Sequence, residues 1–279
     1  MERRKFLKGA ALAGVATAGA AASSLPRPAI SQGREEWRMV TSWPMNFPGL
    51  VTGAERVAQR ITTMSEGRLT VKVYAAGELV PPFESFDAVS QGAADMAHSA
   101  AYYWQGKAKA LNFFTAVPFG LTPAEHDAWI MYGGGQQLWD EVYAGFNLKG
   151  FNAGNTGTQM AGWFRNEINS LEDLKGLKFR TAGLGGEVMR RLGVAVTTLP
   201  GGEIFPALQA GTIDAAEWVG PWNDLAFGFY RIAKNYYWPS VTEPSAALEL
   251  SVNKQKWDAL PADLKAIIEA ATQAEMYQV

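Results

Sequence analysis

The sequence predicts an α/β protein with mostly parallel sheets. Two stretches, residues 37–99 and 177–216, each read as strand-helix-strand-helix-strand with short turns. That order sets strands side by side in parallel and lays helices on the sheet faces. The 279 residues, 48% hydrophobic and 19% charged, suffice for one large or two modest domains. No internal repeat links the two stretches, so their likeness is one of topology.

Composition narrows the function classes. A formal net charge of −2 gives no reason to expect nucleic acid or an anionic membrane surface as partner. Ten tryptophans and nine tyrosines suit a buried ligand cleft as well as a plain aromatic core. With no cysteine, disulfides, thiolate metal sites, a cysteine nucleophile and a lipoprotein anchor are all excluded.

Residues 1–31 read as a targeting segment. Arg3-Arg4 followed by Phe6-Leu7-Lys8 resembles a twin-arginine export motif. The Ala-rich run from Gly9 to Ala22 is too short and too rich in small residues for a membrane span, and Ala29-Ile30-Ser31 offers a cleavage site. The alternative is a disordered start to a cytosolic protein. Export implies a bacterial periplasm, reached by the twin-arginine route after folding.

In the first stretch, Trp37 to Ser42 is a strand broken by Pro44 and Pro48. Leu50, Ala54, Val57, Ala58 and Ile61 have helical spacing in a helix over about 49–65. Leu69 to Tyr74 alternates as a strand, a helix spans about 83–91, and Ala94 to Ser99 is the third strand. The aromatic run Tyr102-Tyr103-Trp104 then stands past a strand's C-terminal edge, where it serves equally as a ligand wall or as packing. Thr122-Pro123-Ala124-Glu125 has the form of a capped helix start, and glycines 133–135 interrupt before a second helical run to about Tyr143. Strands follow over 146–154 and 160–166, with a first crossing between domains at 155–159 and a capped turn at 169–174.

The second stretch holds the sharpest pattern. Leu177 to Arg180 is a strand ending in arginine, and a Gly-rich turn over Thr181–Gly186 leads to a helix over 187–192. A strand over 195–199, a helix over 203–210 stopped by Gly211, and a strand over 213–216 lead to Glu217-Trp218. Arg180 and Glu217 thus stand at the carboxyl edge of a parallel sheet, where such folds bind ligands. Beyond lie an aromatic-rich helix over 224–232, a return crossing near 245, a strand over 247–253, a helix over 254–260 and a last helix from Pro261 to the final residue.

The run Lys175-Gly176-Leu177-Lys178-Phe179-Arg180 and the phrase from Ala207 to Ala215 resemble the signature of the solute receptors of TRAP transporters, over about residues 34–279. Glu217-Trp218 resembles the branch that binds 2-oxo or 2-hydroxy acids with a metal ion. The resemblance implies a two-lobed periplasmic binding protein with a ligand cleft: lobe I from 32–157 and 245–279, lobe II from 158–244. Family members usually continue through further C-terminal helices, so the chain reads as a short or incomplete member. The implied ligand is pyruvate or a longer 2-oxo monocarboxylate. The implied partners are the membrane permease subunits and, as in some members, a second copy in a homodimer.

Residue chemistry agrees. Arg180 offers a permanently charged fork that matches both carboxylate oxygens, though an arginine at a strand end also makes ordinary ion pairs. By the resemblance it binds the acid, with a hydrogen bond from Tyr103 or its neighbour Tyr102. Asn155, on the crossing strand, either bonds the ligand or shapes a turn. Gln159, Glu217, Trp218 and Glu243 supply only oxygens, which suits sodium or calcium. The resemblance assigns the Gln159 amide oxygen, the Glu217 carboxylate and the Trp218 carbonyl to that ion, with Glu243 completing or neutralising the set. An acidic wall holds an acidic ligand when a cation lies between them. Otherwise Glu217 is an ordinary acid at a strand end.

Other chemistries find little support. Gly183-Leu184-Gly185-Gly186 lacks the third glycine of a dinucleotide fingerprint, and Glu187 would repel a phosphate, so no nucleotide is expected. His98 and His126 are the only histidines; neither belongs to a ligand or triad motif, and His98 reads as buried and hydrogen-bonded. The reading is therefore a receptor and not an enzyme. A receptor for lactate or another acid without metal, and an exported enzyme acting on a carboxylic acid, are the alternatives.

Overall fold

The computed structural model describes residues 33–278, so the targeting segment expected at 1–31 lies outside the described residues. Trp37 and Met39 alternate inward along strand β1 (Glu35–Thr41). Helix α1 (Leu50–Met64) lays Leu50, Ala54, Val57, Ala58 and Ile61 along one buried stripe. β2 (Leu69–Tyr74) pairs with β1 in parallel. A 3-10 turn at Pro82–Glu84 opens α2 (Ser85–Ser90), and β3 (Met96–Ser99) joins the other side of β1. Two 3-10 segments, Ala101–Trp104 and Lys109–Phe114, follow where the sequence showed only an aromatic cluster.

Helix α3 (Pro123–Tyr132) starts with the expected capping box, Thr122 donating its backbone N–H to Glu125 at 2.9 Å. α4 (Gly135–Ala144) and β4 (Leu148–Asn155) complete the run to the first passage between sheets. β5 (Gly162–Phe164), β6 (Lys178–Arg180), α5 (Gly183–Arg191), β7 (Ala195–Thr197), α6 (Gly201–Ala210), β8 (Ala215–Ala216), α7 (Pro221–Phe227) and β9 (Asn235–Tyr237) belong to the second sheet and its cover. β10 (Ala247–Asn253) returns to the first sheet, and α8 (Lys254–Ala259) and α9 (Ala262–Met276) pack beside it.

The strand orders are β2-β1-β3-β10-β4 and β7-β6-β8-β5-β9. Each sheet has two parallel and two antiparallel neighbour pairs, so the mostly parallel expectation gives way to mixed sheets. In each case the antiparallel strands belong to the segments by which the chain leaves or re-enters the sheet. Three further expectations change. α5 begins at Gly183, four residues early, so three glycines of the expected turn are helical. The aromatic-rich helix is α7, opened by Pro221 and stopped by left-handed Gly228, followed by a 3-10 turn at Phe229–Arg231. β9, not foreseen, pairs with β5 through Tyr236 and Tyr237.

Trp37, Ile61, Leu250 and Ile268 anchor the core beneath the first sheet, and Phe164 and Phe179 that of the second. A third cluster joins the two lobes: Phe47 and Leu50 from before and within α1 pack with Trp218 and Phe229. No described helix is long and apolar enough to cross a membrane.

Candidate functional site

Short strands bring the central groups together. β6 lies between β7 and β8, parallel to both, so Arg180 emerges at the C-terminal edge of a central strand. The Glu217 N–H donates to the Arg180 carbonyl at 2.9 Å, which sets the acid beside the guanidinium. Arg180 is 1% exposed. Its Nε donates to the Leu199 carbonyl at 3.1 Å and its Nη1 to the Glu217 carbonyl at 2.7 Å. The guanidinium lies 4.9 Å from the Trp218 ring centroid, and Nη2 has no partner. Two backbone carbonyls and a ring thus orient the fork and leave one donor edge for something else.

Two buried carboxylates face this cation. Glu217 Oε2 lies 3.4 Å from Thr181 Oγ1 and 3.6 Å from Arg180 Nη1, whereas Oε1 has no partner. Glu243 Oε1 accepts from the Tyr102 hydroxyl and from Gln159 Nε2, both at 3.1 Å. Gln159 Nε2 also donates to Thr156 Oγ1 at 2.8 Å, which turns its Oε1 away unpartnered. Burial first, then the charge of Glu243, pushes the Glu217 carboxyl well above its usual range, with Arg180 opposing. Burial likewise raises Glu243, opposed by Arg180, Tyr102 and Gln159. One guanidinium cannot balance both acids: they hold protons or admit a further positive charge.

Asn155 Oδ1 accepts from the Gly157 N–H at 2.9 Å, an Asx turn, and its Nδ2 is buried without a partner. Tyr103 packs on Tyr102 with ring centroids 4.8 Å apart, and burial pushes its hydroxyl up, with the charge of Arg180 opposing. A cavity of about 10 Å³ is lined by Tyr102, Tyr103, Gln159 and Trp218 together with Trp43 and Leu248. The structure therefore gathers Arg180, Glu217, Trp218, Tyr102, Tyr103, Gln159 and Glu243 at one place, whereas Asn155 is linked to it only through the next residue, Thr156, which bonds Gln159.

Family membership follows from the matched length: the family model described as bacterial extracellular solute-binding protein, family 7, covers residues 40–279. The chain belongs to that family. Family 7 proteins are transporter solute receptors, not enzymes. A monocarboxylate 2-oxoacid-binding periplasmic protein from a Nostoc strain is 46% identical over 274 residues, 98% of this chain and 75% of that protein. Among solved structures, a TRAP periplasmic solute binding protein from Pseudoalteromonas atlantica with bound sodium and pyruvate is 44% identical. It superposes with a TM-score of 0.85 over 88% of this chain and 75% of its own. One from Colwellia psychrerythraea with bound calcium and pyruvate is 43% identical, again with a TM-score of 0.85, coverage being 88% and 75%. A third, from Bordetella bronchiseptica, is a mixed-occupancy dimer with copurified calcium and picolinate; it is 42% identical, with a TM-score of 0.86 and coverage of 87% and 72%. These fix the fold as the two-lobed α/β architecture of such receptors.

Within this family 7 chain, the donor set can be tested against a cation. Among the described residues, no group of three or more His, Cys, Asp or Glu is arranged for a metal. A site here would be built from few acids and several neutral oxygens. Glu217 Oε1 and Gln159 Oε1, buried and unpartnered, supply one of each. Such oxygen-only donors fit a hard ion.

Sequence reading missed several supports. Thr181, the Leu199 carbonyl and Thr156 hold Arg180, Glu217 and Gln159 in place. Asp224 fixes the turn after Trp218: Oδ1 accepts from the Val219 N–H at 3.2 Å, and Oδ2 from Trp163 Nε1 at 3.0 Å and the Tyr236 hydroxyl at 2.8 Å. Burial pushes its carboxyl up to about 6. The one available signal was an acid three residues after the Gly220-Pro221 turn.

Proposed function

We propose that this receptor captures a 2-oxo monocarboxylate, pyruvate or a longer homologue, through Arg180 and a bound sodium or calcium ion. One observation carries the reading. Five buried polar atoms on the gathered residues and Asn155 have no protein partner: Arg180 Nη2, Asn155 Nδ2 and Trp218 Nε1 as donors, Glu217 Oε1 and Gln159 Oε1 as acceptors. Leaving such groups unpaired costs about 1–3 kcal/mol each, so together they specify a ligand. The donors match a carboxylate and a keto oxygen; the acceptors match a cation. The similar receptors that hold pyruvate with sodium or calcium support the same pairing.

In this reading Arg180 binds the carboxylate, and Asn155 and Tyr103 bond the carboxylate or keto oxygen. Gln159, Glu217 and the Trp218 carbonyl hold the ion, and Glu243 balances charge while Tyr102 and Gln159 orient it. The ion supplies the positive charge that joins an acidic wall to an acidic ligand. Lobe I comprises 32–157 with 245–279 and lobe II 158–244, and they close on the ligand by a hinge motion. The chain works in the bacterial periplasm after export through its twin-arginine segment. It delivers the acid to TRAP membrane permease subunits, with a homodimer as the assembly to look for.

The test is a thermal-melt panel of organic acids followed by mass spectrometry of what the protein releases. Pyruvate and its homologues should raise the melting temperature and be recovered chemically unchanged. Stabilisation only by dicarboxylates or sugar acids would overturn the ligand class.

A further inference from the structure

Trp43, in the lining of the cavity, is held at both its indole and its main chain. Its indole Nε1 donates to His98 Nδ1 at 2.8 Å, and His98 Nε2 lies 3.2 Å from the Ala153 carbonyl. The carbonyl can only accept, so the imidazole proton sits on Nε2 and Nδ1 is the acceptor that the indole requires. His98 is 0% exposed, and burial keeps it neutral, with a pKa of about 4. The Trp43 carbonyl is held as well, accepting from the Ala76 N–H at 2.9 Å and Thr41 Oγ1 at 3.2 Å. Strand β3, backed by β4, therefore grips the Trp43 side chain, while β1 and the Ala76 N–H hold its main chain.

Position gives this grip a consequence. The Arg180 guanidinium lies 4.9 Å from the Trp218 ring, and Trp43 meets Trp218 edge-on with ring centroids 6.3 Å apart. The apolar lining, Leu50, Ala100, Ala246 and Leu248, surrounds Trp43 on the lobe I side. The acid's head belongs at Arg180, so its tail points toward this group. The cavity of about 10 Å³ has room for roughly one water, so any ligand must part the lining, and an indole bonded to a buried imidazole on a held backbone resists that displacement.

We propose that Trp43 is the end wall that sets the acyl-chain length of the bound acid, and that His98 is the positioning residue that holds it. The inference rests on the 2-oxo acid reading above. It requires the wild-type chain to favour pyruvate over 2-oxopentanoate, since a fixed wall discriminates by roughly 10–200-fold per methylene.

Affinities for pyruvate, 2-oxobutanoate and 2-oxopentanoate, measured by calorimetry on the full chain, decide it. Trp43→Leu should shrink the pyruvate preference at least about 10-fold. His98→Leu should shrink it in the same direction. His98→Asn, which keeps an oxygen to accept the indole N–H, should restore most of it. In a Trp43→Phe background His98→Leu should add nothing, because the bond it breaks is already gone; a general loss of packing would still add its effect. Should His98→Leu fail to fold, Trp43→Leu, Trp43→Phe and His98→Asn still decide. Unchanged ratios in Trp43→Leu, or a wild-type preference for the longer acid, would overturn the inference. Wild-type protein that binds none of the three would instead overturn the 2-oxo acid reading.

Discussion

Arg180 holds its position through main-chain carbonyls of Leu199 and Glu217 and keeps Nη2 buried and unpartnered, the edge proposed for the ligand. Arg180→Ala should abolish acid binding, a loss of about 2–5 kcal/mol for truncating one partner of a buried charge pair. Arg180→Lys should recover little of it, because an ammonium lacks the fork. Both are read by calorimetry, with a melting curve to confirm folding. A pH dependence follows from the raised carboxyls of Glu217 and Glu243. Raised acids keep protons to higher pH, and a cation must displace them. Cation-dependent binding should therefore weaken steadily as pH is lowered from 8 to 6, followed by calorimetry in several buffers. Arg180 was legible because a strand, an arginine and a turn are adjacent in sequence. Thr156 and Thr181 were not, since a lone threonine carries no spacing to single it out. The carbonyls of Leu199 and Glu217 were invisible for a stronger reason: a backbone oxygen acts whatever its side chain is.

At the scale of elements, α5 shows what pattern alone could not separate. Gly183 has φ +58°, and a Cβ there would stand 2.6 Å from Tyr102 Cδ2; one on Gly185 would stand 2.8 Å from Thr242 Cβ. A turn and a close approach both call for glycine, so the sequence could not tell the helix start from a loop. Gly185→Ala should push α5 off the segment that carries Thr242 and Glu243. The expected cost is about 1–3 kcal/mol of stability, with weaker acid binding, measured by chemical denaturation and calorimetry on the same sample. Periodic elements were read almost to the residue: β2 and β10 span the expected 69–74 and 247–253. β9 escaped because Asn235–Tyr237 is too short for alternation to show. The mixed sheets escaped because strand direction at a crossing depends on where the chain goes next.

Across the molecule, burial also ties stability to pH through an acid that the proposed site does not use. Glu249, 1% exposed in β10, accepts from Trp104 Nε1 at 2.9 Å and from the Tyr143 hydroxyl. Desolvation pushes its carboxyl from 4.5 up to about 7, with both bonds opposing. A raised acid favours the protonated form in the folded state. Its contribution is full below pH 4.5 and is lost as pH rises through 7, on the order of 3 kcal/mol. Glu249→Gln should flatten that part of the stability–pH profile, followed by denaturant melts between pH 4.5 and 8.

The measurement that bears most directly on the whole account is calorimetric titration of ligand-stripped protein with pyruvate. It is run with a chelator in sodium-free buffer, and again with sodium or calcium restored. Binding that needs the cation, and that disappears in Glu217→Gln as well as Arg180→Ala, is the expected result. Tight binding indifferent to cation and to Glu217→Gln would contradict the bridge between acid and receptor.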